Sequence, residues 1–103
     1  MLLLETKNFK SEVVESKTPV FVDFWSIGCG PCRMMDPTIK ALESKMTNVK
    51  FAKIEASDGG AMFSEHRVTH IPTFIIFKDG KETSRKSGLM SEADAEKWIN
   101  SNI

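Results

Sequence analysis

Cys29 and Cys32 are the only two cysteines of the 103-residue chain, and they stand in Trp25-Ser26-Ile27-Gly28-Cys29-Gly30-Pro31-Cys32-Arg33. On a helical turn this spacing puts both side chains on one face. It also brings their Cα atoms to roughly 5 Å, inside the window of about 4.4–6.8 Å that an S–S bond accepts. A disulfide here forms and breaks with little backbone movement. The ring it closes is small, so its entropic stabilisation of the fold is small too. Reversible thiol–disulfide exchange therefore suits the pair better than a structural staple, and a Cys-x-x-Cys between a strand and a helix reads as a redox motif. Two other readings stay open: an inert buried pair, or half of a zinc site. A zinc site normally takes four ligands, and His66 and His70 are the only histidines. Both are expected at the surface, and no metal is expected.

A second group that could do chemistry is Asp23, in the middle of the apolar run Val20-Phe21-Val22-Asp23-Phe24-Trp25. Burial disfavours its charge and raises its pKa. Lying six residues before Cys29, it is placed to exchange a proton with Cys32, directly or through one water. The alternative is a buried carboxyl satisfied by backbone or by Lys53. Lys53 itself alternates in phase with Val49 and Phe51, an unusual place for a lysine. It either partners Asp23 or snorkels to the surface.

The elements that must position these groups follow from the pattern. Residues 2–4 predict a short strand, and Phe9, Val13 and Val14 predict a helix after it. Val20 to Trp25 is apolar on both faces apart from Asp23, which predicts a central strand. A long helix is expected from the cysteines to about Met46. Its stripe of Met35, Ile39, Leu42 and Met46 steps back to Cys32, so Cys32 faces inward and Cys29 sits at the exposed tip. Pro37 kinks this helix without ending it. The pair Met34-Met35 is expected to pack, and any exposure of Met34 offers an adaptable contact. Val49 to Glu55 predicts a third strand, Ser57-Asp58-Gly59-Gly60 a turn, and Ala61 to about His66 a short helix. Phe74 to Phe77 predicts a fourth strand. Asp79-Gly80 is a hairpin signal. Lys81 to Ser87 is nearly all polar, as an edge strand protected from aggregation is. Ser91 to Asp94 resembles a capping box opening a last helix that buries Ala95, Trp98 and Ile99. Together these make one α/β domain over residues 1–103, a mixed sheet of about five strands flanked by about four helices.

Composition narrows the function classes. Lys+Arg and Asp+Glu both number 14, a formal net charge of zero. That gives no electrostatic case for a nucleic-acid or membrane partner. No apolar run approaches the roughly 20 residues of a membrane span. Leu2-Leu3-Leu4 is too short for the apolar region of a signal peptide. Two close cysteines without a leader are expected in a reducing cytoplasm.

With these residues in hand, the chain resembles the thioredoxin family nearly end to end. The resemblance rests on Cys29-Gly30-Pro31-Cys32, the upstream Asp23-Phe24-Trp25, and the helix-kinking Pro37. It also rests on the strand lysine Lys53, on Ile71-Pro72-Thr73 before the fourth strand, and on Gly80 and Gly88. It implies the thioredoxin fold and a protein-disulfide reductase and electron carrier. Cys29, stabilised as a thiolate by the helix N-terminus, is the nucleophile. Cys32 is the resolving thiol, and Asp23 carries the proton. Gly30, Pro31, Lys53 and Pro72 support the site. Pro72 is expected to be cis, with the backbone of Ile71 pairing with an extended substrate segment. Gly88 lies on the rim, and Trp25 either borders the site or belongs to the core. Gly28 stands where the family usually carries tryptophan, and His70 where it often carries glycine. The implied partners are a thioredoxin reductase and disulfide-containing proteins. No bound cofactor is expected, since the dithiol carries both electrons, and a monomer is expected. Two rivals of the same fold are a binding subunit that holds a partner on the Ile71-Pro72 surface, and a dithiol oxidase or isomerase. Turnover of insulin disulfides and the redox potential separate them.

Overall fold

The structure is a computed structural model describing residues 1–103. In chain order the strands are β1 (Leu2–Leu4), β2 (Val20–Trp25), β3 (Lys50–Glu55), β4 (Thr73–Lys78) and β5 (Lys81–Ser87). The helices are α1 (Thr6–Phe9), continued by a wider π-helical turn over Lys10–Val14, then α2 (Gly30–Lys45), α3 (Ala56–Glu65) and α4 (Glu92–Asn100). The sheet order is β1-β3-β2-β4-β5, with β1, β3 and β2 parallel and β4 antiparallel to both of its neighbours, β2 and β5. This is the mixed five-stranded sheet with four helices of the thioredoxin fold.

Each strand is apolar in proportion to its cover. The central strands β2 and β4 are almost wholly buried, while the edge strand β5 is exposed along most of its length and offers only polar side chains. Period-two alternation then splits the interior into two layers. Phe21, Phe51, Phe74 and Ile76 pack against Met35, Ile39 and Leu42 of α2 and Ala95, Trp98 and Ile99 of α4. Val20, Val22, Phe24, Ala52, Ile54, Ile75 and Phe77 form the other layer with Phe9 and Val13. Asp23 and Lys53 alternate with the first layer, so they share the face that α2 covers.

Local signals act where expected in several places. Asp79 and Gly80 both take positive φ, 53° and 81°, which is the backbone of a tight hairpin turn. The Ser91 hydroxyl accepts the Asp94 N–H at 3.1 Å and caps α4. Helix α2 runs through Pro37 to Lys45, and Met46 just beyond it is buried.

Three expectations are corrected. Ser57-Asp58-Gly59-Gly60 is not a turn but the first part of α3, bent where Gly59 leaves helical geometry at φ −139°. The Glu55 carboxylate caps this helix from the end of β3, accepting the Ser57 N–H at 2.9 Å. A Cβ at Gly59 would collide with the Ile54 side chain, so the glycine serves a close approach. Val14 is 40 % exposed and not on the buried face. The π turn, closed by Glu15 N–H to the Lys10 carbonyl, keeps Phe9 and Val13 inward and swings Val14 out. His66 is not a surface residue. Its ring lies half-buried against Phe9, Phe24 and Phe77, with centroids 5.1, 6.3 and 5.4 Å away.

Candidate active site

The site forms at one end of the sheet. Strand β2 ends at Trp25, opposite Glu55 at the end of β3. Strand β4 begins at Thr73, opposite Phe24 on one side and Ser87 at the end of β5 on the other. The loop carrying the cysteines, the Ile71-Pro72 segment and the Gly88 turn therefore leave the sheet at the same edge. The Gly88 N–H donates to the Pro72 carbonyl at 3.0 Å, and the Ile71–Pro72 peptide is cis. The Thr73 hydroxyl donates to the His70 carbonyl, which ties the segment just before Pro72. The His70 side chain is exposed.

Cys29 and Cys32 are joined as a disulfide with Cα atoms 5.3 Å apart. Cys29 is the N-cap of α2, and its sulfur accepts the Cys32 N–H at 3.1 Å. Pro31 occupies the first turn, where an amide N–H has no helical partner to lose. Cys32 is 3 % exposed and Cys29 half-buried, so the first cysteine is the accessible one, though less open than an exposed tip. An N-cap sulfur that accepts an amide N–H at the positive end of a 16-residue helix is in a site that favours an anion.

Asp23 lies below this turn, 2 % exposed, and its Oδ1 has no hydrogen-bond partner. Burial, then the neighbouring Asp36 carboxylate, push its pKa up to about 7, and Lys53 pulls only partly against them. Lys53 makes no ion pair with Asp23. Its ammonium sits over the Trp25 ring, 4.9 Å from the centroid. Trp25 is half-buried at the rim. Gly28 has φ +89°, and a Cβ there would meet open space. Gly30 and Pro31 are exposed, as are Ile27, Met34, Ile71 and Leu89 among the apolar residues.

Two residues escaped the sequence reading. Asp36 was not singled out, yet its charge raises the Asp23 pKa, and the signal for it is its i, i+4 spacing from Cys32 on α2. Glu55 looked like the polar end of a strand. It is 8 % exposed, and its carboxylate accepts N–H bonds from Ser57 and from Ile27, 28 residues away. Burial alone would raise its pKa, but the amide bonds from Ser57, Ile27 and Ala56 outweigh it and hold it below the usual range. The one sequence signal for Glu55 is its position directly before the start of a helix.

The comparisons with known proteins agree with this geometry. The thioredoxin family model matches residues 1–101. A thioredoxin of Rickettsia bellii is 41% identical over 101 residues, covering 94% of this chain and 93% of the relative. A thioredoxin of Rickettsia typhi is 39% identical over 97 residues, covering 93% and 92%. A thioredoxin of Porphyra purpurea is 36% identical over 97 residues, covering 93% and 91%. With a Cys-Gly-Pro-Cys disulfide at the head of a helix on this sheet, and likeness over nearly its whole length, the chain belongs to the thioredoxin family and is a thiol–disulfide oxidoreductase.

Proposed function

We propose that the reduced chain attacks a protein disulfide through Cys29 and resolves the product through Cys32. The Cys29 thiolate bonds to one target sulfur and expels the other as a thiolate, leaving a mixed disulfide. Cys32 gives its proton to the Asp23 carboxylate, and the resulting thiolate attacks the Cys29 sulfur. The second target sulfur leaves as a thiolate and takes a proton. The target gains two electrons and the chain ends as the Cys29–Cys32 disulfide. The observation that carries this reading is the asymmetry of the pair: Cys29 caps α2 and is accessible, whereas Cys32 is buried.

Asp23 supports the proton step because a pKa of about 7 lets it hold or release a proton near neutrality. Lys53 over Trp25 keeps a positive charge near that carboxyl. Pro72, Ile71 and Gly88 flank the same edge and serve as the substrate ledge, with Trp25 and Gly28 beside them. Family membership implies a thioredoxin reductase as electron donor and disulfide-containing proteins as substrates. We further read the chain as a single domain that acts as a monomer in the cytoplasm, where a close redox pair is kept reduced.

The test is insulin-disulfide reduction, with Cys32→Ser used to trap the intermediate. The wild type should turn over, and Cys32→Ser should accumulate a mixed disulfide through Cys29. Failure of the wild type to reduce insulin, or trapping through Cys32 in Cys29→Ser at an equal rate, overturns the assignment.

A further inference from the structure

Ile27 and Glu55 form a pair that the redox steps do not use. Ile27 lies two residues before Cys29 and is 71 % exposed, the most exposed of the large apolar residues. A lone exposed isoleucine needs no explanation. This one has an anchored backbone. Its N–H donates to Glu55 Oε2 at 3.2 Å, and Glu55 Oε1 accepts from Ser57 at 2.9 Å. A buried carboxylate is costly unless its oxygens are satisfied, and here one of the two oxygens is spent on the turn that carries Ile27. The Cys29 N–H donates to the Ser26 carbonyl at 3.2 Å, so the turn is fixed on both sides of Gly28. The main chain of the turn is held, while the Ile27 side chain projects into solvent. Next to it, Gly28 offers no side chain and open space.

We propose that Ile27 is a specificity-determining contact for protein disulfides, seating against an apolar residue that flanks the target cystine, and that Glu55 is the positioning residue that presents it. The contact supplies apolar area beside the nucleophile where Gly28 supplies none. The inference rests on the reading of Cys29 as the nucleophile. It separates large substrates from small ones, because a small disulfide reaches Cys29 without covering Ile27.

The experiment compares steady-state reduction of insulin, recycled by dithiothreitol, with the reaction of the prereduced protein with 5,5′-dithiobis(2-nitrobenzoic acid). Ile27→Ser should raise the insulin KM about three- to tenfold, with kcat and the small-disulfide rate within about twofold of wild type. Ile27→Leu should restore the KM. Glu55→Gln turns one acceptor into a donor and should raise the KM similarly, and Glu55→Asp should rescue part of it. The double variant Ile27→Ser/Glu55→Gln should be no worse than Ile27→Ser, since both remove one contact. An unchanged KM in a folded Ile27→Ser protein overturns the proposal. So does additivity in the double variant, which would mean that Glu55 acts on something other than Ile27. Cys29→Ser keeps the two readings apart: if it still reduces the small disulfide, the nucleophile assignment fails, whatever Ile27 does.

Discussion

Asp23 and Lys53 face each other in register on neighbouring parallel strands, yet the lysine ammonium lies over Trp25 and leaves the Asp23 Oδ1 buried without a partner. Opposite charges on adjacent strands do not form an ion pair here. Burial, and then the Asp36 charge, hold the acid at a pKa of about 7, and Lys53 offsets them only in part.

This arrangement gives the stability a pH slope. Asp23 is a carboxyl whose folded pKa lies above its unfolded value, so the folded state holds the proton more tightly. Its contribution is fully present below the unfolded value and is lost as pH rises from about 4 to about 7. Asp23→Asn should remove that slope and stabilise the oxidised protein at pH 8 by roughly 2–4 kcal/mol. The same variant should slow resolution of the mixed disulfide. Urea unfolding at pH 5, 6.5 and 8 reads the first effect, and stopped-flow kinetics the second. Equal stability gains at all three pH values would mean that Asp23 does not titrate in this range.

The cysteines should differ in reactivity. In the reduced protein at pH 7, iodoacetamide should modify Cys29 about tenfold faster than Cys32 or more, since only the first combines access with a helix N-terminus. Mass spectrometry of partly alkylated protein measures the ratio. Equal labelling would contradict the burial of Cys32.

Gly28 carries a backbone demand that can be separated from its missing side chain. At φ +89°, a Cβ should cost about 1–2 kcal/mol, although no neighbour obstructs it. Gly28→Ala should therefore lower the melting temperature, and Gly28→Trp should lower it by a similar amount. Any difference between the two variants in KM for a thioredoxin reductase then reports the indole alone. If Gly28→Ala melts like the wild type, the turn adapts and glycine is not required there.

His66 predicts an acid sensitivity on the other face. Burial among Phe9, Phe24 and Phe77 lowers its pKa, against the raising effect of Glu65 and Glu82 and with a smaller lowering effect from Arg85. A histidine with a depressed folded pKa binds protons better when unfolded, so stability should fall as pH drops below about 6.5. His66→Phe should flatten that limb, read from melting curves between pH 5 and 7.5. A variant with the same acid limb as wild type would show that other groups produce it.

Much of this was legible in the chain. The runs Val20–Trp25 and Phe74–Phe77, the Asp79-Gly80 pair and the Ser91 cap are local signals, and local physics decides them. Cys32 on the buried stripe of α2 followed from helical periodicity, as did Met35, and the stripe continues past Pro37. What stayed hidden depends on contacts between distant residues. The two glycines at 59 and 60 look like a turn until Glu55 caps the helix and Ile54 requires the space at Gly59. His66 looks solvated until three phenylalanines from three separate elements converge on it. No periodicity announces the π turn after Phe9.

The sheet has a further consequence through its two apolar layers. Phe24 and Asp23 are consecutive, yet they point to opposite sides, one toward Phe9, Phe63 and His66 and the other toward α2. Substitutions in the Phe9–Phe77 layer reach the cysteines only by displacing the backbone of β2, which is paired along its length on both sides. Changes on the two sides should therefore combine nearly additively. Such a chain can acquire heat or acid tolerance in one compartment while its electron chemistry, in the other, stays as it was.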